Sequence, residues 1–256
     1  MLCARRFTLP LQALEPMDLD GTGAATLLLL NPTGGVLGGD RLETSVALGA
    51  GCRVCLSTPS ATRVYRSPGP PAVQATSIRL GAGAALEYLP DHVIPSPGAR
   101  YRQSVAIELG PGSSAILCDA WSVGRPAREE RWRFDLFDSG TVARDGSGLL
   151  FKDRVILTGA QGWGGLGAAE GMLYVASILC LAPDRPCLDS LADTLARGLS
   201  PAFPAARVAA TALARGGVVL RLLAPSAPVM QAAVERAWAL SRHFLWDLPP
   251  LALRKN

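Results

Sequence analysis

The feature that most constrains the fold is a short pattern written three times. Val46-Ala47-Leu48-Gly49-Ala50-Gly51-Cys52-Arg53-Val54-Cys55-Leu56 is echoed by Ile78-Arg79-Leu80-Gly81-Ala82-Gly83-Ala84-Ala85-Leu86-Glu87-Tyr88. The second echo is Ile107-Glu108-Leu109-Gly110-Pro111-Gly112-Ser113-Ser114-Ala115-Ile116-Leu117. Each unit is an alternating strand, a Gly-x-Gly turn and a second strand. Glycine supplies the positive φ that a tight turn needs. Recurrence about every 30 residues, over residues 45–118, predicts a mainly β, layered, β-solenoid-like stack of strand pairs, each layer covering its neighbour's apolar face. A meandering sandwich of similar hairpins is the alternative, and it is equally β.

The pattern changes toward the C-terminus. Leu188, Leu191, Leu195 and Leu199 recur at helical spacing, which predicts a helix over 187–198 with Gly198 as its C-cap. Val218 to Leu223 reads as a strand. A second helix is expected over 226–242, capped by Ser226, with Pro228 in its first turn. Its apolar stripe is Met230, Ala233, Val234, Ala237 and Trp238. No linker-like segment divides the chain, so residues 1–256 are read as one domain.

Composition narrows the function classes. Of 256 residues, 49% are hydrophobic and only 18% charged, too apolar for a disordered chain and suggestive of exposed apolar surface. The net charge is +4 and the pI near 8.9, yet the arginines are scattered along the sequence. Without a dense basic block interleaved with aromatics, nucleic-acid binding is not expected. The apolar runs 24–30 and 172–182 fall short of the ~20 residues a membrane span needs. The first sixteen residues lack a signal-peptide core. A cytoplasmic protein with its six cysteines reduced is the expectation.

Catalytic constellations are poorly supplied. Gly162-Trp163-Gly164-Gly165-Leu166-Gly167 matches G-x-G-x-x-G, and an NAD-dependent oxidoreductase is the alternative reading it supports. That fingerprint needs a helix next, whereas Tyr174-Val175-Ala176-Ser177-Ile178-Leu179 reads at least as well as a strand. Cys52-Arg53-Val54-Cys55 is a lone CxxC whose sulfurs point to opposite faces of a strand. His92 and His243 are the only imidazoles, and no G-x-S-x-G elbow is present. The carboxylates Asp40, Glu87, Asp91 and Asp119 lie in or beside the repeats. Stacked in register, such groups would line a seam, and burial would require water, a metal ion or arginine beside them.

Several ordered segments together resemble the UreD/UreH family of urease accessory proteins. The glycine segment Leu29-Leu30-Asn31-Pro32-Thr33-Gly34-Gly35-Val36-Leu37-Gly38-Gly39-Asp40 resembles its most specific signature. Thr58-Pro59-Ser60-Ala61-Thr62-Arg63-Val64-Tyr65-Arg66-Ser67 resembles the second. Leu86-Glu87-Tyr88-Leu89-Pro90-Asp91-His92-Val93-Ile94-Pro95, continuing through Ala99-Arg100-Tyr101 to Gln103, resembles the third. Gly124-Arg125 after Asp119 resembles the fourth, and Arg221-Leu222-Leu223-Ala224-Pro225 the strand before the last helix. The chain begins close to the first matched residues, where family members commonly carry additional strands.

The resemblance implies a non-catalytic scaffold that docks on apo-urease with UreF-like and UreG-like partners and helps deliver nickel to the urease site. It implies no tightly bound cofactor, only transient Ni²⁺. Oxygen ligands such as Asp40, Glu87 and Asp119 suit weak, exchangeable contact with a divalent ion, and are the expected nickel path.

Overall fold

The computed structural model describes residues 2–159 and 163–253. After the short β1 (Gln12–Ala13), the chain winds in coils of three strands each. The first coil is β2 (Ala25–Leu30), β3 (Gly35–Val36) and β4 (Arg41–Leu48). The second is β5 (Arg53–Ser57), β6 (Thr62–Val64) and β7 (Ala72–Leu80), and the third β8 (Ala85–Leu89), β9 (Val93–Pro95) and β10 (Arg100–Leu109). A fourth begins with β11 (Ser114–Ser122), makes an excursion through β12 (Gly124–Arg125) and β13 (Glu130–Arg131), and resumes in β14 (Leu136–Asp145). The chain then leaves the parallel winding: β15 (Gly148–Leu157), β16 (Tyr174–Leu181), α1 (Leu188–Leu199), β17 (Arg207–Ala212), β18 (Gly217–Ala224) and α2 (Ala227–Trp246) follow.

Equivalent strands of successive coils pair in parallel, giving a large sheet ordered β1-β2-β5-β8-β11-β16-β18-β17 and a five-stranded sheet ordered β15-β14-β10-β7-β4. A short parallel ladder, β3-β6-β9, forms a third side. The three sequence repeats stack in the register their alignment implies. Leu48 faces Leu80, which faces Leu109, and Cys55, Glu87 and Ile116 form another row. The Gly-x-Gly turns are corners that pass the chain from one sheet to the other, which excludes the hairpin sandwich. The second glycine of each turn carries the positive φ, +66° at Gly51 and +65° at Gly83. The first is needed for a different reason. A Cβ on Gly81 would stand 2.8 Å from the Ala50 nitrogen of the coil beside it, and one on Gly110 2.7 Å from the Leu80 oxygen.

Three apolar clusters follow from the alternation. Leu48, Leu56, Ile78, Leu80, Ile107 and Leu117 fill one end of the space between the two sheets. Val36, Val64, Tyr101, Trp121, Phe134 and Phe137 fill the other. On the outer face of the large sheet, Ile116, Ile178, Leu220 and Leu222 meet the buried stripes of both helices. Each such side chain contributes roughly 1.5–3 kcal/mol on full burial.

Both helices lie within a few residues of their expected spans. The second runs one turn further, to Trp246, because Arg242 and Leu245 continue its buried stripe. Gly198 is not a cap: it stays helical inside α1, where a Cβ would come within 2.7 Å of Leu240 Cδ1. Its missing side chain lets α1 and α2 approach. Trp163 to Gly171 form turns, and the chain then enters β16, a strand. Gly162 lies outside the described residues, but the helix N-terminus that would face a pyrophosphate does not follow the loop. Among the described residues no helix is long and apolar enough to cross a membrane.

Candidate functional site

The inward side of the strands is apolar at both ends and polar in the middle. On β11, Ile116, Cys118 and Ala120 face the helices, while Ala115, Leu117 and Trp121 face the interior. Alternation therefore turns Asp119 inward. Gln103 comes from β10 and Ser139 from β14, paired in register across the five-stranded sheet. Gln103 Nε2 donates to Asp119 Oδ1 at 2.6 Å, and Ser139 Oγ donates to Asp119 Oδ2 at 2.7 Å. The Tyr101 hydroxyl donates to Gln74 Oε1 at 2.9 Å and to Gln103 Oε1 at 3.1 Å. Tyr88 and Thr76 share a hydrogen bond of 3.3 Å.

Asp119, Gln103, Tyr101, Gln74 and Tyr88 line a cavity of about 60 Å³, together with Thr58, Thr62, Pro90 and Asp91. A second, of about 50 Å³, is lined by Asn31, Gly34, Gly35 and again Thr58, Thr62, Gln74 and Tyr88. At roughly 10–15 Å³ per water, each has room for a few water molecules. On the β15 side, Arg221 Nη2 donates to Asp153 Oδ2 at 2.7 Å and its Nη1 to Ser177 Oγ at 2.6 Å, bridging the two sheets beside the first cavity.

Asp119 makes no ion pair. Burial pushes its carboxyl above the usual carboxylate range, opposed by the Ser139 and Gln103 hydrogen bonds; the Asp153 charge adds to the rise, and Arg221 works against it. Burial likewise raises the Tyr88 and Tyr101 hydroxyls.

The other two expected path residues sit elsewhere. Glu87 occupies the same row as Ile116 and so faces α2. There Trp238 Nε1 donates to its Oε2 at 2.8 Å and Arg242 Nε to its Oε1 at 3.0 Å. Arg242, fully buried, also bonds Asp20 and donates to the Pro249 carbonyl at 2.9 Å. Burial raises the Glu87 carboxyl against the pull of Arg242. Asp40 Oδ2 accepts from the Leu37 backbone N–H at 2.8 Å, closing the glycine turn. Glu87, Asp119 and Asp40 thus occupy three separate places, and among the described residues no group of three His, Cys, Asp or Glu is arranged to hold a metal ion. His92 is buried against Asp91, at 2.9 Å, and edge-on to Tyr174.

The segments that carried the family resemblance converge here. Asn31, Gly34 and Gly35 come from the first, Thr58 and Thr62 from the second, and Pro90, Tyr101 and Gln103 from the third. Their glycines serve close approach: a Cβ on Gly35 would lie 2.4 Å from Arg63 O and 2.7 Å from the Tyr65 ring, and one on Gly38 2.0 Å from Ser67 Oγ. Gly34 and Gly39 have positive φ, and Arg66 bridges to Ala99. Gly124 and Arg125 are not at the cavity. They pair with Arg131 and Glu130, and the Arg125 guanidinium bonds Glu130. Sequence reasoning passed over Ser139 and Gln74; their signal was a polar residue at an inward position with apolar inward residues toward both ends of the strand, Phe137 and Ala143 around Ser139, Ala72 and Ile78 around Gln74.

The sequence model of the UreD urease accessory protein family matches residues 2–256. The chain belongs to the UreD family. A UreD urease accessory protein from Haloarcula marismortui is 34% identical over 252 residues, spanning 95% of this chain and 83% of that protein. One from Deinococcus radiodurans is 34% identical over 252 residues, 96% of this chain and 86% of that protein. One from Albidiferax ferrireducens is 31% identical over 242 residues, covering 93% and 87%. As a UreD-family member the chain is an accessory factor in urease maturation. The polar interior is the part of its structure that core packing does not explain.

Proposed function

We propose that this chain is a non-catalytic, cytoplasmic maturation factor that docks on apo-urease with UreF-like and UreG-like partners and passes nickel toward the urease site. Asp119 is the residue of the path. The supporting observation is its inward carboxylate, held by two neutral donors and no ion pair, beside a cavity lined with hydroxyl and amide groups. Neutral oxygen donors around one carboxylate favour a weak, exchangeable hold on a divalent ion, since tight sites need several strong ligands. Glu87, whose oxygens are engaged by Arg242 and Trp238, serves the fold on this reading, and Asp40 serves the glycine turn.

The test is genetic and analytical. Deleting the gene, with nickel and bicarbonate not in excess, is expected to leave urease subunits made and assembled but nickel-poor and nearly inactive. Elemental analysis of the purified urease reads the outcome. Fully loaded, active urease in the deletion strain would overturn the reading.

A further inference from the structure

The arginines that look scattered along the sequence do not remain scattered in the fold. Residue Arg66 bridges to Ala99, next to Arg100, and the Arg66 side chain lies over Gly98. The Gly98 N–H donates to the Arg133 carbonyl at 2.7 Å, bringing a third arginine to the same point. Arg63 stands on β6 three residues before Arg66, and Arg131 on β13 two residues before Arg133. Four of the five are exposed. Arg100 is half-buried, and its Nε is enclosed without an acceptor.

None of the five forms an ion pair, whereas Arg41, Arg79, Arg154, Arg215 and Arg221 each have a carboxylate partner. None of the neighbouring acids forms an ion pair with the cluster. Asp135, whose N–H donates to Ala99 O, makes no ion pair, and Glu130 is taken by Arg125. This side of the solenoid therefore gathers five arginines without an ion pair, four of them exposed, onto one stretch of surface.

We infer that this arginine face is a docking surface for a protein partner with a carboxylate-rich surface. Guanidinium groups form bidentate pairs with carboxylates and give up water more readily than ammonium groups. A cluster of them raises the association rate with an acidic surface and fixes the orientation of the encounter. Exposed positions that need no partner within the chain cost little to keep charged. The inference rests on the proposed maturation role for the identity of the probes, and it adds the side of the molecule they meet.

The experiment uses the full-length chain and purified apo-urease, UreF-like and UreG-like proteins as probes, with affinity measured at several salt concentrations. Arg66→Glu/Arg133→Glu is compared with the wild type and with a control reversal elsewhere, Arg144→Glu/Arg236→Glu. Arg66→Gln/Arg133→Gln separates loss of charge from repulsion, and circular dichroism with thermal melting confirms that each variant folds. The expected result is at least a tenfold weaker complex with one probe for the Glu pair and a smaller loss for the Gln pair. Both losses should shrink as salt rises, because the Debye length falls from about 10 Å at 0.1 M to about 3 Å at 1 M. The control pair should stay within about twofold. Equal affinity of wild type and Arg66→Glu/Arg133→Glu would overturn the surface while leaving the maturation role intact. So would equal losses in the control, or a loss confined to binding of a DNA oligonucleotide. Failure of the wild type to bind any of the three probes would overturn the maturation role itself, and the surface with it.

Discussion

Replacing Arg242 by methionine tests whether the cluster beneath α2 is held by its single cation. The guanidinium touches Glu87, Asp20 and the Pro249 carbonyl, and is completely buried. Methionine has similar bulk, so the change removes charge and donors with little loss of volume. It leaves two carboxylates under the helix. Glu87 keeps only the Trp238 donor, and Asp20 keeps the Thr22 backbone and hydroxyl donors. Breaking a buried pair by removing one partner costs about 3–5 kcal/mol. In a chain of this size each kcal/mol moves Tm by roughly 2–4 °C, so a fall of roughly 6–20 °C is expected near neutral pH.

The loss should depend on pH, with a sign fixed by the two carboxyls. Burial raises Glu87 above its ordinary value of 4.5. Its ionisation therefore costs stability as pH climbs from that value through the folded pKa, and without Arg242 the cost grows. Asp20 is held below its ordinary 3.8: its Thr22 and Arg242 hydrogen bonds together outweigh burial, the largest single influence, which acts to raise it. That stabilising contribution exists above 3.8 and is reduced in the variant. Both effects widen the gap between variant and wild type at neutral pH and close it toward about pH 4. Adding Glu87→Gln to the Arg242→Met variant should restore part of the lost stability at pH 7. Thermal melts at pH 4 and pH 7 read the result. Arg242→Met within about 1 kcal/mol of wild type at pH 7, or an equal loss at both pH values, would refute the reasoning.

Two further outcomes are expected. Asp119→Asn should raise Tm at neutral pH, by roughly 2–4 °C if the removed charge is worth about 1 kcal/mol, and the gain should vanish below about pH 4, because the wild-type carboxyl is raised and then already neutral; an unchanged or lower Tm at pH 7 would contradict the unpaired carboxylate. Gly81→Ala should cost about 1–3 kcal/mol of overpacking, since the new Cβ meets three backbone atoms of the coil beside it within 2.9 Å, whereas Gly49→Ala, whose nearest neighbour is Cys52 Sγ at 3.6 Å, should cost less; denaturant melts of the pair check the order.

The winding was legible because its causes are local and repeated. Gly49, Gly81 and Gly110 mark the corners, and the alternation around them sets which residues meet in the next coil. The same alternation also separates Glu87 from Asp119, a consequence first visible once the register is in hand. Glu87 shares a row with Ile116, and Asp119 lies three residues beyond Ile116. An odd offset along a strand means opposite faces. What turns Glu87 into a structural carboxylate could not be read this way. Arg242 lies 155 residues further on, and only the packing of α2 against the large sheet brings it there. Gly198 misled for a related reason: a glycine near the end of an apolar helical stripe reads as a cap, but the approach of Leu240 from α2 is what excludes a side chain. The arginine face was hidden similarly, its members spread over residues 63–133 and joined only by coil stacking.

Glu87 and Asp119 meet the cost of desolvation in different ways. Both are pushed upward by burial. At Glu87 the cost is met by a buried guanidinium and an indole N–H, a fully partnered arrangement that ties α2 and the loop around Asp20 to the solenoid. At Asp119 no ion pair is made, and Arg221 acts only through its charge. Its neighbours are the amide of Gln103 and the hydroxyl of Ser139, beside water-sized space. Core packing alone would favour an apolar side chain at that inward position, as at Leu117 two residues before it. An acid without an ion-pair partner between two apolar clusters, eased by the charge of Arg221 only at longer range, is a standing cost to folding. Proteins keep such costs chiefly where activity requires them, and on the proposed reading a passing divalent cation would supply a counter-charge in direct contact with this carboxylate.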